Sequence, residues 1–212
     1  MVDKQISSTV FDLALLRYLL QVVSLVFLKM AGWRRAGHPP DVPKYVLIAA
    51  PHTSNWDFPI TLAMVFSFRM KICWLGKAAL FRWPFRGLFH WLGGIPVDRS
   101  KANHMVAQSV RRFAEKARMV MVISPEGTRE KVPYWKTGFY RIAEGARVPI
   151  AIGFLDYFHK VGGFGRLFHP SGDIEADMEK IRGFYAGIRG KFPEKSSLAI
   201  QPLQGVSCGE RL

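Results

Sequence analysis

Three times in this chain a short apolar run stops at a polar corner. Lys44 to Ala50 runs into Pro51-His52, Gly93 to Val97 into Asp98-Arg99, and Met119 to Ile123 into Ser124-Pro125-Glu126-Gly127-Thr128-Arg129. Runs of this length suit buried strands, and helix-length segments stand between or after them at Phe58 to Phe68, Lys101 to Arg118 and Gly138 to Arg147. Another strand is expected over Val148 to Leu155, a charged amphipathic helix over Ile174 to Arg189 and a last strand over Leu198 to Gln201. The pattern predicts an α/β fold with a mixed, largely parallel central sheet flanked by helices. Loops at the carboxyl ends of parallel strands gather on one sheet edge, where ligands bind, so the three corners are expected to meet there.

The 212 residues suit one α/β domain with a short appendage. The division expected is a helical, membrane-associating segment over residues 1–35 and the α/β domain over 36–212, with Ala36 to Pro43 as a Gly/Pro linker. Val10 to Trp33 is apolar but interrupted by Asp12, Arg17, Gln21, Ser24 and Lys29, too often for a simple span. Arg17, Gln21 and Ser24 form one polar stripe, and Trp33-Arg34-Arg35 an aromatic and basic border. This reads as an amphipathic helix docked in a membrane interface; packing on the domain's own core is the other reading. Ala78 to Leu92, broken by Pro84, mixes Phe81, Trp83, Phe85, Phe89 and Trp91 with Arg82 and Arg86. That mixture suits either an interfacial surface or a core helix with its arginines in solvent.

Lys and Arg number 30 against 16 Asp and Glu, a formal charge of +14 that favours anionic partners. The 6 Trp, 16 Phe and apolar N-terminal stretch favour an anionic membrane surface. Nucleic acid is not expected, because no recognition helix, finger or aromatic repeat is legible. Cys73 and Cys208 have neither metal-ligand spacing nor a disulfide framework, and no secretory leader is visible, which points to a reducing compartment.

The first corner holds the chemistry. His52 and Asp57 would lie about 140° apart on a continuous helix, so pairing them needs a bend, with Ser54 or Asn55 as N-cap and Pro59 in the first helical turn. A histidine held by an aspartate is a general base. The chain has no Gly-x-Ser-x-Gly elbow, so the nucleophile is expected from the substrate, for instance an alcohol. No second His or Cys stands at ligand spacing from His52, and neither metal nor cofactor is expected. Arg99 and Arg129 follow strands and can grip a phosphate, Gly94 and Gly127 allow close backbone approach, and Lys136 is a further phosphate ligand. His38, His90, His104, His159 and His169 have no partner in sequence and are read as surface or core residues.

In order along the chain stand His52-x4-Asp57, Gly93-x-Ile95-x-Val97-Asp98-Arg99, Pro125-Glu126-Gly127-Thr128-Arg129 and Val148-Pro149-Ile150. Together they resemble the four motifs of the glycerolipid acyltransferases, the lysophosphatidate acyltransferase family. Pro51, Pro96 and Ser124 stand where that family has Asn, a bulky apolar residue and Phe. The resemblance implies acyl transfer from acyl-CoA or an acyl-carrier protein to the hydroxyl of a lyso-lipid acceptor, without a covalent acyl-enzyme. It makes His52 the base and Asp57 its orienting group, and assigns acceptor phosphate binding to Arg99, Glu126, Gly127, Thr128 and Arg129, with Lys136 in the element that follows. The implied location is the cytoplasmic face of a membrane, peripheral or monotopic. A different lyso-lipid or a non-glycerolipid alcohol, thioester hydrolysis, and a non-catalytic lipid-surface protein are the alternatives.

Overall fold

The structure, a computed structural model, describes residues 9–98 and 102–197. After a 3₁₀ turn at Val10–Asp12 the chain forms α1 (Ala14–Met30), β1 (Arg34–Ala36), β2 (Lys44–Ala50), α2 (Asp57–Ser67) and β3 (Cys73–Lys77). A second 3₁₀ turn at Ala78–Phe81 leads to α3 (Arg86–Trp91), β4 (Gly94–Val97), α4 (Ala102–Glu115), β5 (Met119–Ile123) and α5 (Gly138–Ala146). The chain continues through β6 (Ile150–Asp156), β7 (Val161–Phe168) and α6 (Ile174–Tyr185) to a 3₁₀ turn at Pro193–Lys195.

The seven strands form one sheet in the order β1-β7-β6-β2-β5-β3-β4. The five from β6 to β4 are mutually parallel, β7 runs antiparallel to β6, and β1 is parallel to β7. The expected mixed, largely parallel sheet is therefore present. Strand β2 lies near its middle, and its alternating side chains feed two cores, as the period of two requires. Val46, Ile48 and Ala50 pack with Phe139, Tyr140 and Ile142 of α5 and with Ile181 of α6. Tyr45 and Leu47 pack with Val65 and Phe66 of α2 and with Phe11. From β2 the chain crosses over β5 to reach β3; from β5 it crosses back over β2 to reach β6. That reversal opens a crevice at the carboxyl ends of β2 and β5, where two of the three polar corners stand.

Several elements differ from the sequence reading. Arg34–Ala36, expected as the basic border of the first helix and the first residue of the linker, is strand, and β7 is a further strand that the apolar pattern does not predict. Both depend on each other: a Cβ at Gly163 would collide with the carbonyl oxygen of Ala36, so only a glycine lets these two strands pair. The first helix is divided at Leu13, whose φ of −90° and ψ of 104° are extended. Helix α2 begins at Asp57, with Trp56 rather than Ser54 or Asn55 as its N-cap. Helix α6 ends at Tyr185, after which the chain turns so that the Arg189 carbonyl accepts from Tyr157 N–H at 2.9 Å. Arg99, the strand expected over Leu198 to Gln201, and Cys208 lie outside the described residues.

Candidate active site

The bend that His52 and Asp57 require is built by the aspartate itself. Beyond a cis Ala50–Pro51 bond the chain leaves β2, and the Asp57 carboxylate, at the first turn of α2, reaches back over the corner. Its Oδ2 accepts from the backbone N–H of Thr53 at 2.8 Å and of Ser54 at 2.9 Å, and lies 3.1 Å from His52 Nδ1. An ionised carboxylate only accepts, so Nδ1 carries the proton and Nε2 is left with a free lone pair. The side chain of Asp57 is 4% exposed and that of His52 27%, so the base is reachable and its partner is not. Burial alone would raise the Asp57 carboxyl, but the hydrogen bonds from His52, Tyr157 and Ser54 outweigh it and hold it below the usual carboxylate range.

The Tyr157 hydroxyl donates to Asp57 Oδ1 at 2.6 Å. The strand expected over Val148 to Leu155 ends short of Tyr157, which directly follows β6; a hydroxyl just past the end of a strand beside β2 is the signal that points to it. The Tyr157 ring stands edge-on to Trp33, 4.9 Å between centroids, so the residue linking α1 to β1 supports the ring that touches the dyad. The Tyr157→Phe variant keeps that ring packing and removes one donor from Asp57. We expect kcat to fall about tenfold with little change in KM or melting temperature, in line with the strength of a hydrogen bond to a charged group.

Glu126 belongs to the third corner, yet its carboxylate turns away from solvent. It is 1% exposed; Oε2 accepts His52 N–H at 2.7 Å and Oε1 has no partner among the described residues. A buried carboxylate on the dyad's backbone anchors the histidine and is poorly suited to greet a phosphate. Burial, reinforced by the charge of Asp57 and only partly offset by the His52 N–H, raises its carboxyl from 4.5 to about 7. A raised carboxyl stabilises the fold fully below its unfolded value and loses that contribution as pH climbs through its folded value. Wild-type protein is therefore expected to lose up to about 3 kcal/mol between pH 4.5 and pH 8, at about 1.4 kcal/mol per unit. Melting temperatures across that range should fall for the wild type and stay nearly level for Glu126→Gln.

The rest of the third corner is open. Gly127 adopts a φ of +67°, and the Lys136 side chain lies against it, its Nζ 3.6 Å from where a Cβ would stand. Thr128 Oγ1 accepts from Glu130 N–H at 3.3 Å, and Arg129 is exposed. Through the Glu126 contact this loop is joined directly to the His52 corner. Gly94 instead lies inside β4, where a Cβ would meet Phe81 and the Phe89 carbonyl. The segment after α6 closes the other side: Thr53 Oγ1 accepts from Phe192 N–H at 3.2 Å, and Lys191 stands 5.0 Å from the Trp56 ring. Behind the dyad a narrow cavity of about 50 Å³ is walled mainly by apolar side chains, among them Leu47, Met64, Leu155 and Phe164. Two of the other histidines are partnered after all. His159 Nδ1 lies 2.7 Å from Asp156 Oδ2 in the β6–β7 turn, and His90 Nδ1 lies 3.2 Å from the Gly94 carbonyl.

Residues 38–152, which include the dyad, its Glu126 tether and the third corner, match the acyltransferase family model. The chain belongs to the acyltransferase family. This acyltransferase resembles the crystal structure of PlsC, the 1-acyl-sn-glycerophosphate (LPA) acyltransferase of Thermotoga maritima, with a TM-score of 0.56 and 16% identity over 79% of this chain and 78% of that one. At that identity the likeness speaks to the fold. No curated protein matches the sequence.

Proposed function

We propose that this acyltransferase moves a fatty acyl group from acyl-CoA or an acyl-carrier protein to the hydroxyl of a lysophospholipid such as lysophosphatidate. The observation that carries the mechanism is the dyad: a partly exposed His52 imidazole, with Nδ1–H committed to a buried Asp57 carboxylate. Nε2 takes the acceptor's hydroxyl proton as its oxygen attacks the thioester carbonyl. The tetrahedral adduct collapses, the C–S bond breaks, and the imidazolium returns the proton to the departing thiolate. Ester and thiol form in equal amounts, and Asp57 stabilises the imidazolium in between.

A phosphorylated acceptor is supported by the cations beside the base. Arg129 and Lys136 flank the Gly127 turn, and in this reading they bind the acceptor phosphate together with Arg99, while Gly127 and Thr128 supply polar backbone. Glu126 serves the acceptor site by fixing the His52 backbone. The acceptor named for PlsC agrees with this assignment. The apolar cavity beside His52 offers the acyl chain a dry wall.

Membrane attachment belongs to the same proposal, with residues 1–35 as the attaching segment, the catalytic domain from residue 36 onward, and the cytoplasmic face as the location. Its support is the orientation of α1. The polar stripe turns inward, Gln21 Nε2 donating to the Ser67 carbonyl at 3.2 Å and Ser24 lying buried, while Leu15, Leu19, Val23, Val26 and Met30 are more than half exposed. No helix among the described residues is long and apolar enough to cross a membrane. An apolar face turned outward on a helix of about 26 Å suits a position in the interface.

Thiol release from acyl-CoA and from acyl-carrier protein, measured with and without a panel of lyso-lipids, tests the function. Release is expected only with an acceptor, greatest with a phosphomonoester lyso-lipid, and matched by acylated lipid in mass spectra. Thiol release equal in the absence of every acceptor would instead identify a hydrolase.

A further inference from the structure

The exposed apolar surface is concentrated in two places, and α1 is only one of them. The other is the knuckle between β3 and β4, where every residue from Arg82 to Leu88 is exposed. Trp83 is 91% exposed, Phe85 58% and Leu88 47%, with Leu80 and Trp91 beside them. A tryptophan left almost wholly in water needs a reason, since aromatics supply much of the apolar area that proteins bury.

The underside of the knuckle is fixed. Phe81 and Phe89 turn inward and pack with Trp74, at 5.7 Å and 5.9 Å between centroids, and Phe89 also meets Phe58 at 6.2 Å. Gly76 and Gly94 make room for the Phe81 ring. The outward aromatics are thus carried on an aromatic pedestal belonging to the core shared with α2 and the 3₁₀ turn before α1. The knuckle and α1 therefore lie on the same side of the sheet.

Charge identifies the occupant. Between Asp57 and Asp98 the sequence has no acidic residue, while it has Arg69, Lys71, Lys77, Arg82 and Arg86; between Asp12 and Asp41 it again has none, with Arg17, Lys29, Arg34 and Arg35. These two stretches hold α1, α2 and the knuckle. The helices on the opposite face carry Glu115, Glu144, Glu175 and Glu179 among their bases. Aromatic tips between arginines, on a face poor in carboxylates, where Asp12 is already paired with Lys71, match the boundary between anionic headgroups and acyl chains.

We infer that the knuckle around Arg82, Trp83, Phe85 and Arg86 is a second membrane foot, which inserts its aromatic tips into an anionic phospholipid surface while α1 lies in the same interface. This rests on the proposed membrane attachment and adds to it a contact independent of α1. Two separate contacts fix the tilt of the molecule on the bilayer.

The test is co-sedimentation of the full chain with vesicles of phosphatidylcholine alone or mixed with phosphatidylglycerol. The double variant W83S/F85S should raise the lipid concentration for half-binding at least tenfold on both vesicles. R82Q/R86Q should raise it about fivefold or more on the anionic vesicles only. Turnover of a water-soluble short-chain thioester with a short-chain lysophosphatidate, held monomeric below its micelle concentration, should be unchanged in both, and melting temperatures report folding. A matched α1 variant, L15S/V23S, separates the two claims. If it loses vesicle binding while both knuckle variants bind as wild type, the second foot is refuted and membrane attachment stands. If wild-type protein binds neither vesicle, attachment itself is wrong and the foot falls with it. If wild type is a dimer that W83S/F85S dissolves with vesicle binding unchanged, the knuckle is covered by a second copy of the chain, which also overturns the inference.

Discussion

Replacing His52 with alanine is expected to lower kcat for acyl transfer by roughly 10²–10⁴-fold, the range that a positioned acid–base group supplies. Stability should change little. The imidazole is partly exposed, the Thr53 and Ser54 N–H groups still satisfy Asp57, and the backbone N–H of residue 52 still reaches Glu126. Binding of the thioester should also persist, because the apolar walls beside the dyad are untouched. Steady-state kinetics together with thermal unfolding check both halves. A variant that melts as wild type and turns over within threefold of it would remove His52 from the mechanism.

Asp57→Asn should have the second largest effect, and here the geometry separates two roles of the aspartate. Three N–H groups converge on the Oδ2 position, from His52, Thr53 and Ser54, whereas Oδ1 meets the Tyr157 hydroxyl, which can also accept. The asparagine amide has one satisfactory orientation: its oxygen takes the three N–H groups and its NH₂ faces Tyr157. The imidazole keeps its tautomer and loses the negative charge that stabilises the imidazolium. We expect kcat to fall roughly 10²–10³-fold, the lower part of the acid–base range, with the fold retained. Asp57→Ala should also destabilise the protein, because it leaves two buried N–H groups unpaired at about 1–3 kcal/mol each. An asparagine variant as damaged in stability as the alanine variant would show that the amide does not settle in this orientation.

Much of this arrangement was legible in the residues. Apolar runs ending in polar corners located β2, β4 and β5, and the spacing of His52 and Asp57 required a bend that the structure supplies. What stayed hidden depends on contacts between distant segments. Strand β1 is only Arg-Arg-Ala, with no apolar signal, and β7 carries three glycines; each becomes a strand through its partner. The expected cap at Ser54 or Asn55 was displaced because the Asp57 carboxylate itself collects the N–H groups of the corner. Glu126 reads in sequence as one more polar loop residue, and its inward turn appears only once β5 lies beside β2. Tyr157 is 100 positions from Asp57, so no local pattern could have paired them. The polar stripe of α1 was visible, but which way it faced was decided by Ser67 and Arg69, whose Nε donates to Gln21 Oε1 at 2.6 Å.

The central claim, that His52 activates the acceptor's own hydroxyl and that no acyl group is ever held by the protein, is tested most directly with an acyl thioester labelled in its acyl chain. Wild-type enzyme should release no thiol and carry no label when the acceptor is withheld; with lysophosphatidate it should yield thiol and labelled ester in equal amounts, and His52→Ala should form both at no more than about a hundredth of the wild-type rate. Label bound covalently to the protein, or full ester formation by His52→Ala, would contradict the account.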